Sequence, residues 1–166
     1  MEGLTAKALR TPEEQLADCK NQDERFYQLG PAAKSRFDAG DFETARENAL
    51  ELQHIMLSYR DHPFFGSAVE SANIVLGRLA LRDGEIHGAE QYLLEAGNST
   101  GSPTLNSFGP NMSLAHDLLV AGQRDAVLEY FKLCASFWSM DYGKLDQWTE
   151  DVVAGRIPSF GANLVY

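Results

Sequence analysis

Positive charge is scarce in this sequence. Fourteen Lys and Arg stand against 24 Asp and Glu, a formal net charge of −10. A chain that binds the nucleic-acid backbone needs a basic stripe, and one that docks on an anionic bilayer needs a basic patch. The shortage argues against both partners. Long apolar runs are missing as well. Nothing approaches the ~18–20 consecutive apolar residues of a membrane-spanning helix, and residues 1–10 lack the apolar core of a secretory signal. Cysteine is nearly absent: Cys19 and Cys134 stand alone, in no zinc or redox spacing. These absences point to a cytoplasmic protein without a disulfide framework. In that setting Asn98-Ser99-Thr100 and Asn111-Met112-Ser113 match the glycosylation sequon by chance.

Catalytic signatures are equally sparse. His54, His62, His87 and His116 form no His-x-x-x-His or Glu-x-x-His pair, so no metal site is nominated. There is no nucleophile elbow, phosphate loop or dinucleotide fingerprint. Ser67, Ser99 and Ser113 have no local activating base. Cys134 and His116 form a nucleophile–base dyad only in principle. Cys134 falls in an apolar helical pattern and reads as a packed thiol. The expectation is a non-enzymatic chain without cofactor or metal.

What the sequence does contain is a recurring phrase. Residues 39–45 read Ala-Gly-Asp-Phe-Glu-Thr-Ala, 83–89 read Asp-Gly-Glu-Ile-His-Gly-Ala, and 121–127 read Ala-Gly-Gln-Arg-Asp-Ala-Val. The glycines Gly40, Gly84 and Gly122 are 44 and 38 residues apart. Each phrase ends one apolar stretch and opens an amphipathic one, the mark of repeated helical hairpins. Phe42, Ala45, Ala49, Leu52, Met56 and Tyr59 fall at alternating steps of three and four, one continuous helix face. Similar patterns predict helices over 67–82, 85–96, 112–121, 123–139 and 141–154. Upstream, Thr11-Pro12-Glu13-Glu14 is a helix start. It predicts a helix over 12–29, stopped or kinked by Gly30-Pro31, and a short helix over 31–39. Residues 97–111 read as a long loop anchored by Leu105 and Phe108, and the apolar tail 155–166 as a segment docked on the last helices. No segment reads as a strand. The fold class is therefore all-α in one domain: an N-terminal capping helix (1–30), hairpin units at 31–60, 67–96 and 112–139, and a C-terminal cap with its tail (140–166).

Laid side by side, the hairpins resemble the tetratricopeptide repeat. The first unit carries the resemblance through Ala33, Gly40, Asp41, Phe42, Ala45 and Ala49, the second through Gly77, Gly84, Glu85, Ile86 and Ala89, and the third through Ala115 and Gly122. In the third, Gln123 and Arg124 replace the acid and the aromatic, and Val127 stands at the alanine place. Pro31 falls inside the span of the family's first helix, and both spacings exceed the family's usual ~34 residues. The resemblance implies antiparallel hairpins stacked as a short right-handed solenoid. It also implies a protein-interaction module whose first helices line a groove for a peptide or protein segment. Register carried over from the family turns Lys34, Phe37, Ile74, Arg78, Leu81, Arg82, Met112, His116 and Leu119 toward that groove. Lys34, Arg78, Arg82 and His116 would then favour an acidic segment, unless Asp38, Asp83 or Asp117 pair with them.

Two other readings follow from the residues. Leu105 and Phe108 of the loop, above Tyr130 or Trp138, would make an apolar patch or a lid, as in a small enzyme or small-molecule binder. A terminal aromatic surface would suit a homodimer or a structural subunit of a larger assembly.

Overall fold

The computed structural model describes residues 9–166, so residues 1–8 of the N-terminal segment lie outside the described part. Among the described residues there are nine α-helices, two short 3-10 turns and no strand. None of these helices is long and apolar enough to cross a membrane. The helices are α1 (Pro12–Ala17), α2 (Gln22–Asp38), α3 (Phe42–Ile55), α4 (Phe65–Arg82), α5 (Ile86–Gly97), α6 (Pro103–Phe108), α7 (Ser113–Val120), α8 (Asp125–Cys134) and α9 (Lys144–Val153).

The turns are set locally. Gly40, Gly84 and Gly122 all have positive φ, at 81°, 83° and 83°. Around each, two backbone bonds close the preceding helix. The first of the three has Gly40 N–H donating to Phe37 O (3.0 Å) and Asp41 N–H to Arg36 O (2.9 Å). The pattern is a Schellman turn, which places its glycine in the left-handed region. Gly155, at φ 82°, repeats it after α9. A Cβ at Gly40, Gly84 or Gly122 would meet nothing within 4 Å. Alanine there is therefore expected to cost only the left-handed backbone term, about 1–2 kcal/mol per site, read as a lower urea midpoint at unchanged slope.

Hairpins α2/α3, α4/α5 and α7/α8 pack side by side: α4 touches α2 and α7, α3 lies against α4, and α5 lies against α7 and α8. Small residues make the close contacts. Ala33, Ala45 and Ala49 meet Val75, Leu76 and Leu79 between the first two hairpins, and Ala80, Ala89 and Ala115 lie in the C-terminal core. That core is aromatic, with Tyr130, Phe131, Trp138, Trp148 and Phe160 all buried. Phe160 carries the tail into it, its ring 4.9 Å from that of Trp148.

Four predicted features of the element boundaries differ from the structure. The helix expected over 12–29 is two: α1 ends at Ala17, and Asn21 starts α2 by accepting from Glu24 N–H (2.9 Å). α2 then runs through Gly30-Pro31. Proline in a helix interior costs about 3 kcal/mol, but Leu29, Ala32 and Ala33 on either side are fully buried. Gly30 is where α2 crosses α4, since a Cβ there would lie 3.0 Å from Ser71 Cβ. Packing overrides both local breakers. The loop over 97–111 contains α6, whose Ser102 cap accepts from Leu105 N–H (3.0 Å) ahead of Pro103. The helix expected over 123–139 stops at Cys134, where the chain turns and the Ser136 hydroxyl donates to Leu133 O (2.7 Å).

Candidate binding cleft

Where α2 and α4 diverge from their crossing at Gly30 and Ser71 they leave a cleft of about 410 Å³. Pro31, Lys34 and Asp38 of α2, the buried Glu70 and Ile74 of α4, and Val165 and Tyr166 of the tail line it. A smaller cavity of about 240 Å³ adjoins it, sharing Gly30, Pro31, Glu70, Ser71, Asn111 and Tyr166, and bounded by Leu105 and Gly109 of the α6 region.

Glu70 is the acidic side chain common to both cavities. It is 5% exposed, and Asn111 N–H donates to its Oε1 at 2.6 Å. Burial pushes its carboxyl up to about 7, and the bonds from Asn111 N–H and the Ser71 hydroxyl only partly offset this. From α8, Tyr130 and Cys134 lie close behind. Burial pushes both upward, so phenol and thiol keep their protons. No ion pair among the described residues includes Glu70. Among the described residues it is a buried acid without a counter-charge.

The segment that covers Glu70 is latched by the tail. Asn163 Nδ2 donates to Phe108 O and Pro110 O, both at 3.1 Å, and Met112 N–H donates to Asn163 O at 2.7 Å. Asn111 Oδ1 accepts from Ser113 N–H (2.8 Å), its Nδ2 donates to Tyr166 O, and Asn111 O accepts from the Tyr130 hydroxyl (3.2 Å). Residues more than 50 positions apart thus hold one corner of the cleft.

Compared with models of known families, with curated proteins and with solved structures, the chain matches none. The site therefore has to be read from its own geometry.

Of the residues expected to face a groove, Lys34 and Ile74 line the cleft. The basic ones are already engaged. Lys34 Nζ lies 2.9 Å from Asp38. Arg78 lies 4.2 Å over the Phe37 ring, and its guanidinium bonds Asp117 (2.8 Å) and Asp38 (3.4 Å), tying all three first helices together. Arg82 sits 3.9 Å over Phe42 and 3.9 Å from Asp83. The structure contains the pairing with Asp38, Asp83 and Asp117 foreseen as the alternative, closely for Lys34 and Arg78 and only at 3.9 Å for the half-exposed Arg82. Met112 and Leu119 are buried in the C-terminal core rather than facing a groove, and half-buried Leu81 packs against that core. His116 stays half-exposed, edge-on to Phe160 of the tail at 6.4 Å and 3.6 Å from Asp117. The tail therefore covers part of the α7 face.

The expected loop patch also differs. Leu105, Tyr130 and Trp138 are core residues. Phe108 is exposed and packs on Tyr166, ring centroids 5.7 Å apart, instead of on the α8 aromatics. Gly109 is what meets Trp138. With the Cys134 thiol buried and protonated, the dyad with His116 has no ready nucleophile.

Glu70 and Asn111 were missed. Glu70 had a signal: it stands four residues before Ile74 and eight before Arg78, on the same helix face. An acid there shares the face that register turns toward the groove. Asn111 and Asn163 had none, because their partners are remote in sequence.

Proposed function

We propose that this chain is a non-enzymatic protein-interaction module, a tetratricopeptide-like stack of three hairpins. It receives an extended segment of a protein partner in the cleft between α2, α4 and the tail. The observation that carries this reading is the position of the cleft. Its helical lining comes chiefly from α2 and α4, the first helices of successive hairpins, and includes no residue of α3 or α5. A concave trough along first helices is what a stack of helical hairpins offers to a peptide. With Lys34 and Arg78 held in internal pairs, recognition rests on shape and on Glu70 in the cleft lining.

The test is to select displayed random peptides on the wild-type protein and challenge the winners with two plugged variants. Lys34→Trp fills the cleft from the α2 wall and Val165→Trp from the exposed tail wall. Selected peptides are expected to lose affinity for both variants by about tenfold or more, about 1.4 kcal/mol, with helical circular dichroism unchanged. Peptides that bind wild type and both plugged variants equally would overturn the reading.

A further inference from the structure

We infer that the cleft takes a lysine side chain of the partner segment and pairs its ammonium with Glu70. The inference rests on the interaction reading above and names the chemistry of the occupant.

Three observations carry it. Glu70 lines both cavities, is nine-tenths buried, and has no cationic partner among the described residues. A buried carboxylate left unpaired is costly, and an incoming cation supplies the missing counter-charge. Next, the nearby cations pair elsewhere in the structure: Lys34 with Asp38, and Arg78 with Asp38 and Asp117. Finally, the geometry favours lysine over arginine. Asn111 N–H already occupies Oε1 of Glu70 at 2.6 Å. A guanidinium grips a carboxylate best through both oxygens, whereas an ammonium is a point charge that needs one. The lining that Gly30, Pro31 and Ile74 share with Glu70 suits a slender methylene stem whose charge sits at its end. The net charge of −10 draws basic segments toward the protein as a whole.

The experiment uses capped pentapeptides of alanine, leucine, a central residue, leucine and alanine. The central residue is lysine, norleucine, arginine or glutamate, and n-butylamine serves as a free-amine control. Binding to the wild-type chain and to Glu70→Gln is followed by calorimetry and by the amide resonance of Asn111. The lysine peptide is expected to bind wild type about tenfold or more tighter than the norleucine peptide, about 1.4 kcal/mol, and to move the Asn111 resonance. On Glu70→Gln both the preference and the shift should vanish. Equal binding of the lysine and norleucine peptides to wild type overturns the inference without recourse to the variant. So does a lysine preference that survives Glu70→Gln, a stronger response to arginine, or n-butylamine binding as tightly as the peptide. If displayed peptides are blocked by the plugged variants yet carry no lysine, the inference falls and the interaction reading stands.

Discussion

At pH 8, Glu70→Gln is expected to be more stable than the wild-type chain by about 3 kcal/mol. The Glu70 carboxyl is shifted from 4.5 to about 7 by burial. A raised carboxyl value means that the folded state holds the proton more tightly than the unfolded chain does. Below about pH 4.5 both states are protonated and the acid costs nothing. As pH rises from there toward 7 the unfolded chain ionises first, and stability falls. Above 7 the folded state ionises too, and the full cost of a buried carboxylate is present. Glutamine removes the charge yet keeps a side-chain oxygen to accept from Asn111 N–H, and the Ser71 hydroxyl stands beside it as a partner for the new amide. Tyr130 and Cys134 behind it keep their protons throughout this range. Urea melts at several pH values read the effect. The gain should be absent at pH 4, grow through pH 5–7 and then level off. A variant no more stable than wild type at pH 8 would show that Glu70 is not a buried, unpaired acid. The same cost, retained in the native chain in the lining of a cleft, is what a ligand cation would relieve.

Gly109→Ala is expected to destabilise the protein by about 2–5 kcal/mol, the sum of two separable effects. Gly109 has φ 87° and ψ 173°, a region of backbone space essentially closed to other residues. A Cβ there would also lie 2.4 Å from Cε2 and Cζ2 of Trp138, whose ring is buried and has little room to withdraw. The clash would push on residues 109–112, the segment that brings Asn111 N–H to Glu70 and is latched to the tail by Asn163. Denaturation should show a loss clearly larger than that of Gly40→Ala, which meets open space. Pairing Gly109→Ala with Trp138→Leu should recover the clash but not the backbone strain, so the two losses should not add. A Gly109→Ala loss no greater than that of Gly40→Ala would refute the close packing described here.

The features legible in the sequence are those whose causes are local. Gly40, Gly84 and Gly122 announced their turns because a Schellman closure joins residues five apart and needs one left-handed residue. Ala33, Ala45 and Ala89 marked close helix contacts because small side chains recur at fixed steps from those turns. The start of α6 was legible as well: Ser102-Pro103 repeats the Thr11-Pro12 signal, but the surrounding Gly, Asn and Ser masked it. Gly30-Pro31 misled because its local preference for a stop is real and is overruled by packing that the sequence does not display. The register of Lys34, Ile74 and Arg78 on one face was readable. The pairing of Arg78 with Asp38 and Asp117 was not, since it spans 40 and 39 positions.

The sequence by itself determined the all-α class, the hairpin turns and the helix faces, because each follows from hydrogen bonds and side-chain periodicities within a few residues. The tertiary structure alone decided the cleft and the state of its acid. Gly30, Glu70, Asn111 and Tyr166 meet at one point only after three hairpins and the tail have packed. Desolvation, which turns Glu70 from an ordinary surface carboxylate into an unpaired buried one, belongs to that assembled environment and to no local stretch of the chain.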